Sequence, residues 1–253
     1  MKDIEWLGRS RLLIGSENLQ KLISSHVLVV GLGGVGSFAA EFICRNGVGK
    51  MTIIDGDVVD PTNRNRQLPA LATNHGQSKA AIMEERLRSI NPEIELNVIN
   101  AFIQPEMVAA QLQQKPDFII DAIDSVTPKL NFIRVAYQHQ IPMVSSMGAG
   151  GKLDPTQIQV ADISKTYNCP FAQQLRKMLK KDNIYRGLQV VFSPEENVKD
   201  SLMLTDGSNF KKSAYGTMSY MPAAFGAVVA SVAIRALMES GSSKSSSAPT
   251  TEQ

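Results

Sequence analysis

The chain has 253 residues, of which 43% are hydrophobic and 20% charged, and its net charge is +2. This is an ordinary globular composition, enough for one sizeable α/β domain or two small ones. A balance so close to neutral does not by itself imply nucleic-acid binding, which has to be argued from a local patch, and two cysteines, Cys44 and Cys169, exclude a disulfide framework and a CxxC zinc pair.

The N-terminus, MKDIEWLGRSRLL, lacks the unbroken apolar core of a signal peptide, and with the thiol content this predicts a reducing, cytoplasmic setting. Six apolar runs read as strands: 26–31, 51–55, 94–100, 117–122, 141–145 and, more weakly, 188–193. The early runs are continuous rather than alternating, as expected of parallel strands covered on both faces. Between them, 77–90 reads as a helix with Met83, Leu87 and Ile90 on one face, ended by Asn91-Pro92. Residues 105–114 and 128–138 each begin with proline near the first helical position, and Thr127 is the expected cap of the second. The span 148–219 breaks the rhythm, with a glycine-rich turn, one amphipathic helix and a polar, irregular remainder. The apolar run 221–234, about 14 residues, falls short of the ~20 of a membrane span and reads as part of a buried helix, 223–238. The tail 241–253 is low-complexity and is expected to be disordered. Strands alternating with helices predict a doubly wound, Rossmann-like, mostly parallel sheet with helices on both faces, forming a single domain over 1–240 with 148–219 facing the substrate.

The stretch HVLVVGLGGVGSFAAEF places Gly31, Gly33 and Gly36 in a GxGxxG pattern between a strand and a helix. The first glycine permits a tight turn, the second lets backbone approach phosphate, and the third lets the helix pack closely. Phosphate then sits at the helix N-terminus. Asp55, 19 residues after Gly36, ends the second strand, where a carboxylate can accept from ribose hydroxyls. The plain alternative is a tight turn without a ligand. The pattern predicts a nucleotide and leaves its identity open.

Charged residues narrow the choice. Asp57, then Asn63, Arg64, Arg66 and Gln67, then Lys79, Asp121 and Asp124 gather around the carboxyl ends of the strands. Hydride transfer to or from a nicotinamide needs few charges and commonly a His or Tyr proton donor. Cations beside carboxylates suit a triphosphate and Mg²⁺ instead. Lys79 falls in the first turn of a helix, where the dipole disfavours a cation; it is either an exposed lysine or one that reaches phosphate. Asp124 is either a loop or capping residue or, lying just beyond a parallel strand, a ligand. Arg64 and Arg66 are either solvated or in the site, with Arg66 the preferred one.

GLGGVGS, IIDGDVV, TNRNRQ, GQSK and DAIDS, in this order, resemble the E1-like adenylating superfamily, which includes ubiquitin-activating enzymes and adenylyltransferases of sulfur-carrier proteins. The resemblance implies ATP on Gly33, Gly34 and Gly36, ribose on Asp55, phosphates on Asn63, Arg66 and Lys79, and Mg²⁺ on Asp124. The candidate nucleotide set is therefore Gly31, Gly33, Gly34, Gly36, Asp55, Asp57, Asn63, Arg66, Gln67 and Lys79. The candidate catalytic set is Arg9, Arg66, Lys79 and Asp124. Arg9, six residues before Gly15, is similar to an arginine that such enzymes insert into a neighbouring subunit's site, which implies a homodimer; Arg11 rivals it. RSRLLIGSENL, MGAGGKLDPTQIQVADISKT and the helix that follows resemble more closely the bacterial tRNA threonylcarbamoyladenosine dehydratases. The likeness runs from about Arg9 to Leu237 and departs at Cys169, where the family is commonly acidic, so Cys169 is not assigned as a nucleophile.

That family acts on a modified adenosine beside the tRNA anticodon. The expected chemistry is activation of the threonine carboxylate by ATP, most simply as an acyl-adenylate with release of pyrophosphate, then ring closure by a nearby nitrogen that expels AMP, a net loss of water. No catalytic cysteine is required. FAQQLRKMLKK, 171–181, places Phe171, Leu175, Met178 and Leu179 on one face. Arg176, Lys177, Lys180 and Lys181 lie largely on the other, either as a solvated face or as contacts to tRNA phosphate. His26, His75 and His139 receive no role, and Cys44 reads as core. The resemblance leaves a sulfur-relay protein partner open. The rival readings are adenylation of the C-terminal glycine of a ubiquitin-like or sulfur-carrier protein and, less favoured, an NAD-dependent oxidoreductase; a nucleotide-binding dimer without catalysis is a third.

Overall fold

The computed structural model describes residues 4–204 and 213–239. A seven-stranded sheet organises them. β1 (His26–Val30), β2 (Lys50–Ile54), β3 (Glu95–Ile99), β4 (Phe118–Asp121), β5 (Met143–Ser146), β6 (Gln159–Asp162) and β7 (Gln189–Phe192) stand in the order β3-β2-β1-β4-β5-β7-β6. All neighbours are parallel except β6, which runs antiparallel to β7 at one edge. β1 lies between β2 and β4, with Val27 opposite both Met51 and Phe118.

β1 reads HVLVV because both of its faces are covered, and all five residues are buried. Side chains alternate across a strand, and the two halves of the run enter different cores. Val27 and Val29 join a cluster with α2 (Gly36–Arg45), α3 (Lys79–Ile90) and α7 (Tyr220–Glu239). Leu28 and Val30 join Val108 and Leu112 of α4 (Pro105–Gln113) and Phe132 and Ala136 of α5 (Val126–Gln138). A third cluster packs α6 (Pro170–Leu179) against β7. The chain moves from β1 outward to β2 and β3, then returns to β4 on β1's other side. The carboxyl ends of β1 and β4 therefore flank a crevice of the kind where open α/β sheets bind ligands.

The strands fall within a residue or two of their expected places. Elsewhere the structure corrects the expectations. Thr127 does not cap α5: Ser125 is the N-cap, and Thr127 and Pro128 lie within the helix. The first-turn amides of a helix have no intrahelical partner, so proline is tolerated there beyond its first position. The span 148–219 is less irregular than expected. It carries β6, α6, β7 and a small antiparallel pair, β8 (Leu202–Leu204) with β9 (Ser213–Tyr215). β6 is an edge strand exposed or half-exposed along its length, so it has no apolar run to betray it. α7 has 20 residues rather than the shorter helix expected, and by length and composition alone could cross a membrane. Half of it is buried, and a Cβ at Gly226 would lie 2.7 Å from the Val35 carbonyl oxygen, so α7 rests directly on the entry to α2. The N-terminal helix α1 (Gly8–Ser24) kinks at Gly15, whose φ is +79°. The expected disordered tail, 241–253, lies outside the described residues.

Candidate functional site

The loops after β1, β2, β4 and β5 enclose a cavity of about 1200 Å³. Its walls include Gly31, Gly33, Gly34, Asp55, Asp57, Asn63, Arg66, Gln67, Lys79 and Asp124. Of the candidate nucleotide residues only Gly36 is absent from the wall, and its role is internal. A Cβ there would stand 1.8 Å from the Gly31 carbonyl oxygen. Gly31 has φ +88°, and its own Cβ would meet the Ala122 carbonyl oxygen at 2.8 Å. These two glycines are demanded by the fold. Gly33 is different: the nearest atom to a Cβ is Gln67 Nε2 at 3.8 Å, so its cavity side is open. The three glycines thus divide into two that close the turn on β4 and one that leaves room for a ligand.

Asp55 is held by backbone: Leu32 N–H donates to Oδ2 at 2.5 Å and Asp57 N–H donates to Oδ1 at 2.8 Å. Burial pushes its carboxyl up, against the opposing pull of Lys79 and of these two amides. Each oxygen keeps a lone pair for a hydroxyl donor. Lys79 is the first residue of α3, capped by Ser78, whose oxygen accepts from Ala81 N–H. It is not an exposed lysine: only 4% of it is accessible, and Nζ donates to Asp57 Oδ2 at 3.0 Å. The backbone repeats that link, with Lys79 N–H donating to the Asp57 carbonyl at 3.1 Å. The dipole penalty of a first-turn cation is offset locally by a carboxylate, and the ammonium is fixed in the cavity wall.

The segment PTNRNRQ forms a short turn whose Asp60–Asn63 capping box buries Asn63. Arg66 follows on the cavity wall, its guanidinium donating to the Thr62 carbonyl and Asn65 Oδ1, each at 2.9 Å. Arg64 lines a separate shallow depression. Gln67 Oε1 is buried without a hydrogen-bond partner among the described residues, an acceptor that awaits a donor. Asp124 is exposed to the cavity two residues past Ala122.

Beneath Asp124 lies a network that the sequence pattern did not reveal. Lys129 and Asp121 are both wholly buried, Nζ to Oδ2 at 2.9 Å. Lys129 also donates to the Ile123 carbonyl at 3.0 Å, Ser145 Oγ donates to Asp121 Oδ2 at 2.7 Å, and Ile123 N–H donates to Oδ1 at 3.1 Å. Burial drives the lysine's pKa down and the aspartate opposes it. The network pins the Ile123–Asp124 corner from below. Lys129 sits in the first turn of α5, the same oddity that singled out Lys79, and that signal would have found it. Lys152, Phe171 and Met178 also line the cavity unforeseen. Cys169 lies there too, but it is buried and burial pushes its thiol up, in keeping with no nucleophilic role.

A model of the family described as the ThiF family matches residues 7–251. The tRNA threonylcarbamoyladenosine dehydratase of Escherichia coli is 40% identical over 91% of this chain and 92% of its own length. That of Bacillus subtilis is 44% identical over 76% and 75%. The chain belongs to the ThiF family. A solved structure of the Escherichia coli dehydratase, TcdA, in complex with ATP matches with a TM-score of 0.84 at 40% identity, covering 93% of this chain and 94% of that one. The molybdopterin-synthase adenylyltransferase of Escherichia coli is more distant, 28% identical over 67% of this chain and 69% of its own.

Two groups of candidates lie outside the cavity of this ThiF-family chain. Arg9 is exposed on the first turn of α1, and Leu12 and Leu13 beside it are 87% and 86% accessible. Lys177 on α6 and Lys180 and Lys181 in the turn just after it are exposed as expected. Arg176 is not: its guanidinium donates to the Thr166 carbonyl at 2.7 Å and to Thr166 Oγ1, so it ties α6 to the preceding turn. The helical spacing of cations hid one that faces inward.

Proposed function

We propose that this chain dehydrates threonylcarbamoyladenosine beside the anticodon of tRNA, using ATP to activate the threonine carboxylate so that a nitrogen of the same substituent closes a ring. The observation that carries this is the convergence of Arg66, Lys79 and Asp124 on one cavity behind the open face of Gly33.

The residues present fit the nucleotide. Gly33 leaves backbone space for phosphate, Gln67 offers an unpaired buried acceptor, and Asp55 keeps lone pairs for ribose. Arg66 and Lys79 would neutralise phosphate oxygens. Asp124 would hold Mg²⁺. Such an ion is commonly bound through one or two carboxylates, phosphates and water. ATP supplies the activation, because carboxylate oxygen leaves far more readily with phosphate attached than as hydroxide. The chain's residues hold the reacting groups together, and closure within one molecule gains from high effective molarity. The fixed cations stabilise charge where it develops, without reorganising.

The reading extends to a homodimer in which Arg9 enters the partner's cavity, supported by the exposed leucines beside it. It also extends to a tRNA contact on Lys177, Lys180 and Lys181, and to the cytoplasm as its setting, with a sulfur-relay protein as a further partner. Mass spectrometry of tRNA nucleosides after incubation with ATP and Mg²⁺ tests the central reading. The expected result is loss of one water from the threonylcarbamoyl nucleoside; an unchanged nucleoside would refute it.

A further inference from the structure

The cavity extends past the point a nucleotide occupies by this reading. Its volume of about 1200 Å³ exceeds the roughly 300–1,000 Å³ of most small-molecule sites. It runs along the carboxyl ends of β2, β1, β4 and β5, which are consecutive in the sheet. Three strand spacings make this edge roughly 14 Å long. The glycine turn and Asp55 occupy the β1–β2 end, Asp124 follows β4, and the turn Met147–Gly150 with Lys152 follows β5.

Lys152 is out of keeping with its surroundings. It is 2% accessible. Its ammonium donates to Asn197 Oδ1 at 2.7 Å and to the Glu195 backbone carbonyl, both neutral acceptors. Glu195 has its carboxylate turned away, accepting from Leu153 N–H at 2.9 Å and Asp154 N–H at 3.0 Å. Among the described residues no carboxylate lies within ion-pair distance of Lys152. Lys79, the other buried cation on the wall, has Asp57. Burial works against this ammonium, while the Cys169 sulfur and, beyond ion-pair distance, the Glu195 carboxylate favour its charge; among the described residues it has two hydrogen-bond acceptors for its three N–H donors. The amino end of α6 borders the same part of the cavity through Cys169, Pro170 and Phe171; its Phe171 and Ala172 N–H groups face the Cys169 sulfur, and the helix dipole favours an anion beside them. An anion placed here would stand on the far side of Asp124 from the glycine turn.

We infer that Lys152, with the amino end of α6, binds the carboxylate of the substrate's threonine group and presents it toward Asp124 and the nucleotide. This rests on the function proposed above. It adds that the carboxylate is recognised before it is activated, by a different cation from those assigned to phosphate. Phe171 and Met178, half-buried on the same cavity's wall, supply apolar surface for the rest of the modified nucleoside.

The test compares two anticodon stem-loop RNAs, one carrying threonylcarbamoyladenosine and one with its carboxylate replaced by a carboxamide. Binding is measured without ATP by fluorescence anisotropy. The wild-type chain should prefer the carboxylate RNA by about tenfold or more, the worth of one charge-assisted hydrogen bond. Lys152→Met should bind both RNAs with the weaker affinity, and Lys152→Arg should retain part of the preference. A structural role alone would weaken both RNAs together and leave their ratio intact, which would overturn the inference. Equal wild-type binding of the two RNAs would overturn it as well, and does not depend on how any variant folds. Wild-type conversion of the carboxylate RNA with ATP is scored separately: conversion with no Lys152-dependent preference sinks this inference and leaves the proposed function standing.

Discussion

Lys79→Met keeps the buried aliphatic stem and removes only the charge. The side chain is 5% exposed and its Nζ lies 3.0 Å from an Asp57 carboxylate that is itself 41% exposed. Losing the lysine leaves Asp57 free to take up water, so the fold should lose about 1 kcal/mol or less, a shift of about 2–4 °C in unfolding midpoint for a domain of this size. The site suffers more. Burial is what raises the Asp55 carboxyl, and the charge on Lys79 is the chief influence opposing it. Without Lys79 the Asp55 carboxyl rises further and a fixed cation is gone from the phosphate end. Loss of one preorganised electrostatic group of this kind lowers enzymatic rates by about 10²–10³-fold, about 3–4 kcal/mol. Single-turnover conversion of threonylcarbamoyl tRNA, followed by nucleoside mass spectrometry beside thermal unfolding, separates the two effects. A variant that melts near wild type and turns over near the wild-type rate would remove Lys79 from the phosphate site and take the charge argument with it.

Gly36→Ala and Gly33→Ala should fail in different ways. The first forces a Cβ to 1.8 Å from the Gly31 carbonyl and should lower stability by about 1–3 kcal/mol or more, seen in urea unfolding. The second meets nothing closer than 3.8 Å and should fold normally while weakening ATP binding by calorimetry; normal binding would deny Gly33 its role. Glu41 is buried, which alone would raise its carboxyl, but bonds from Arg86 and Arg45 together hold it below the ordinary 4.5. Its contribution, about 2 kcal/mol, is therefore full above that ordinary value and lost as pH falls through the lower folded one. Glu41→Gln should lower the urea midpoint at neutral pH and match wild type in strong acid, and a pH-independent difference would contradict this. Reversing Lys177, Lys180 and Lys181 to Glu should weaken tRNA binding and spare ATP binding. It should also flatten the salt dependence, by about one unit of slope for each phosphate that is no longer neutralised. Unchanged tRNA affinity would discard the patch.

The parts of the fold legible from sequence were those under two-sided burial. β1, β2 and β4 lie at the sheet's centre, where each face must be apolar, so their runs are continuous and their limits plain. β6 and β8 lie at edges, where one or both faces meet solvent; their composition carries no period strong enough to read. The cap of α5 was misplaced for a related reason. Proline at the start of a helix is permitted over the whole first turn, so Pro128 marks a region and not a position. The kink at Gly15 carries no pattern either, since a glycine within a helical stretch is as compatible with a regular helix as with a break.

In the site, the residues visible in advance were those whose charge conflicts with an exposed position on a regular element. Lys79 at the head of α3 is such a conflict, and the structure removes it by supplying Asp57. Lys129 at the head of α5 is the same conflict resolved by Asp121, and only the fold brings its ammonium back under the strand that carries that carboxylate. Arg176 errs in the other direction. Helical spacing assigns it to the basic face, yet spacing cannot say that the preceding turn offers a cluster of carbonyl oxygens within reach of a long side chain. Lys152 is a third case, a buried cation whose hydrogen-bond acceptors within the described chain are all neutral. Two of these three inward-facing cations are thus satisfied by the chain itself, Lys129 by a carboxylate and Arg176 by backbone. Of these three, Lys152 alone lines the cavity, which is why the proposed recognition of a carboxylate is assigned to it.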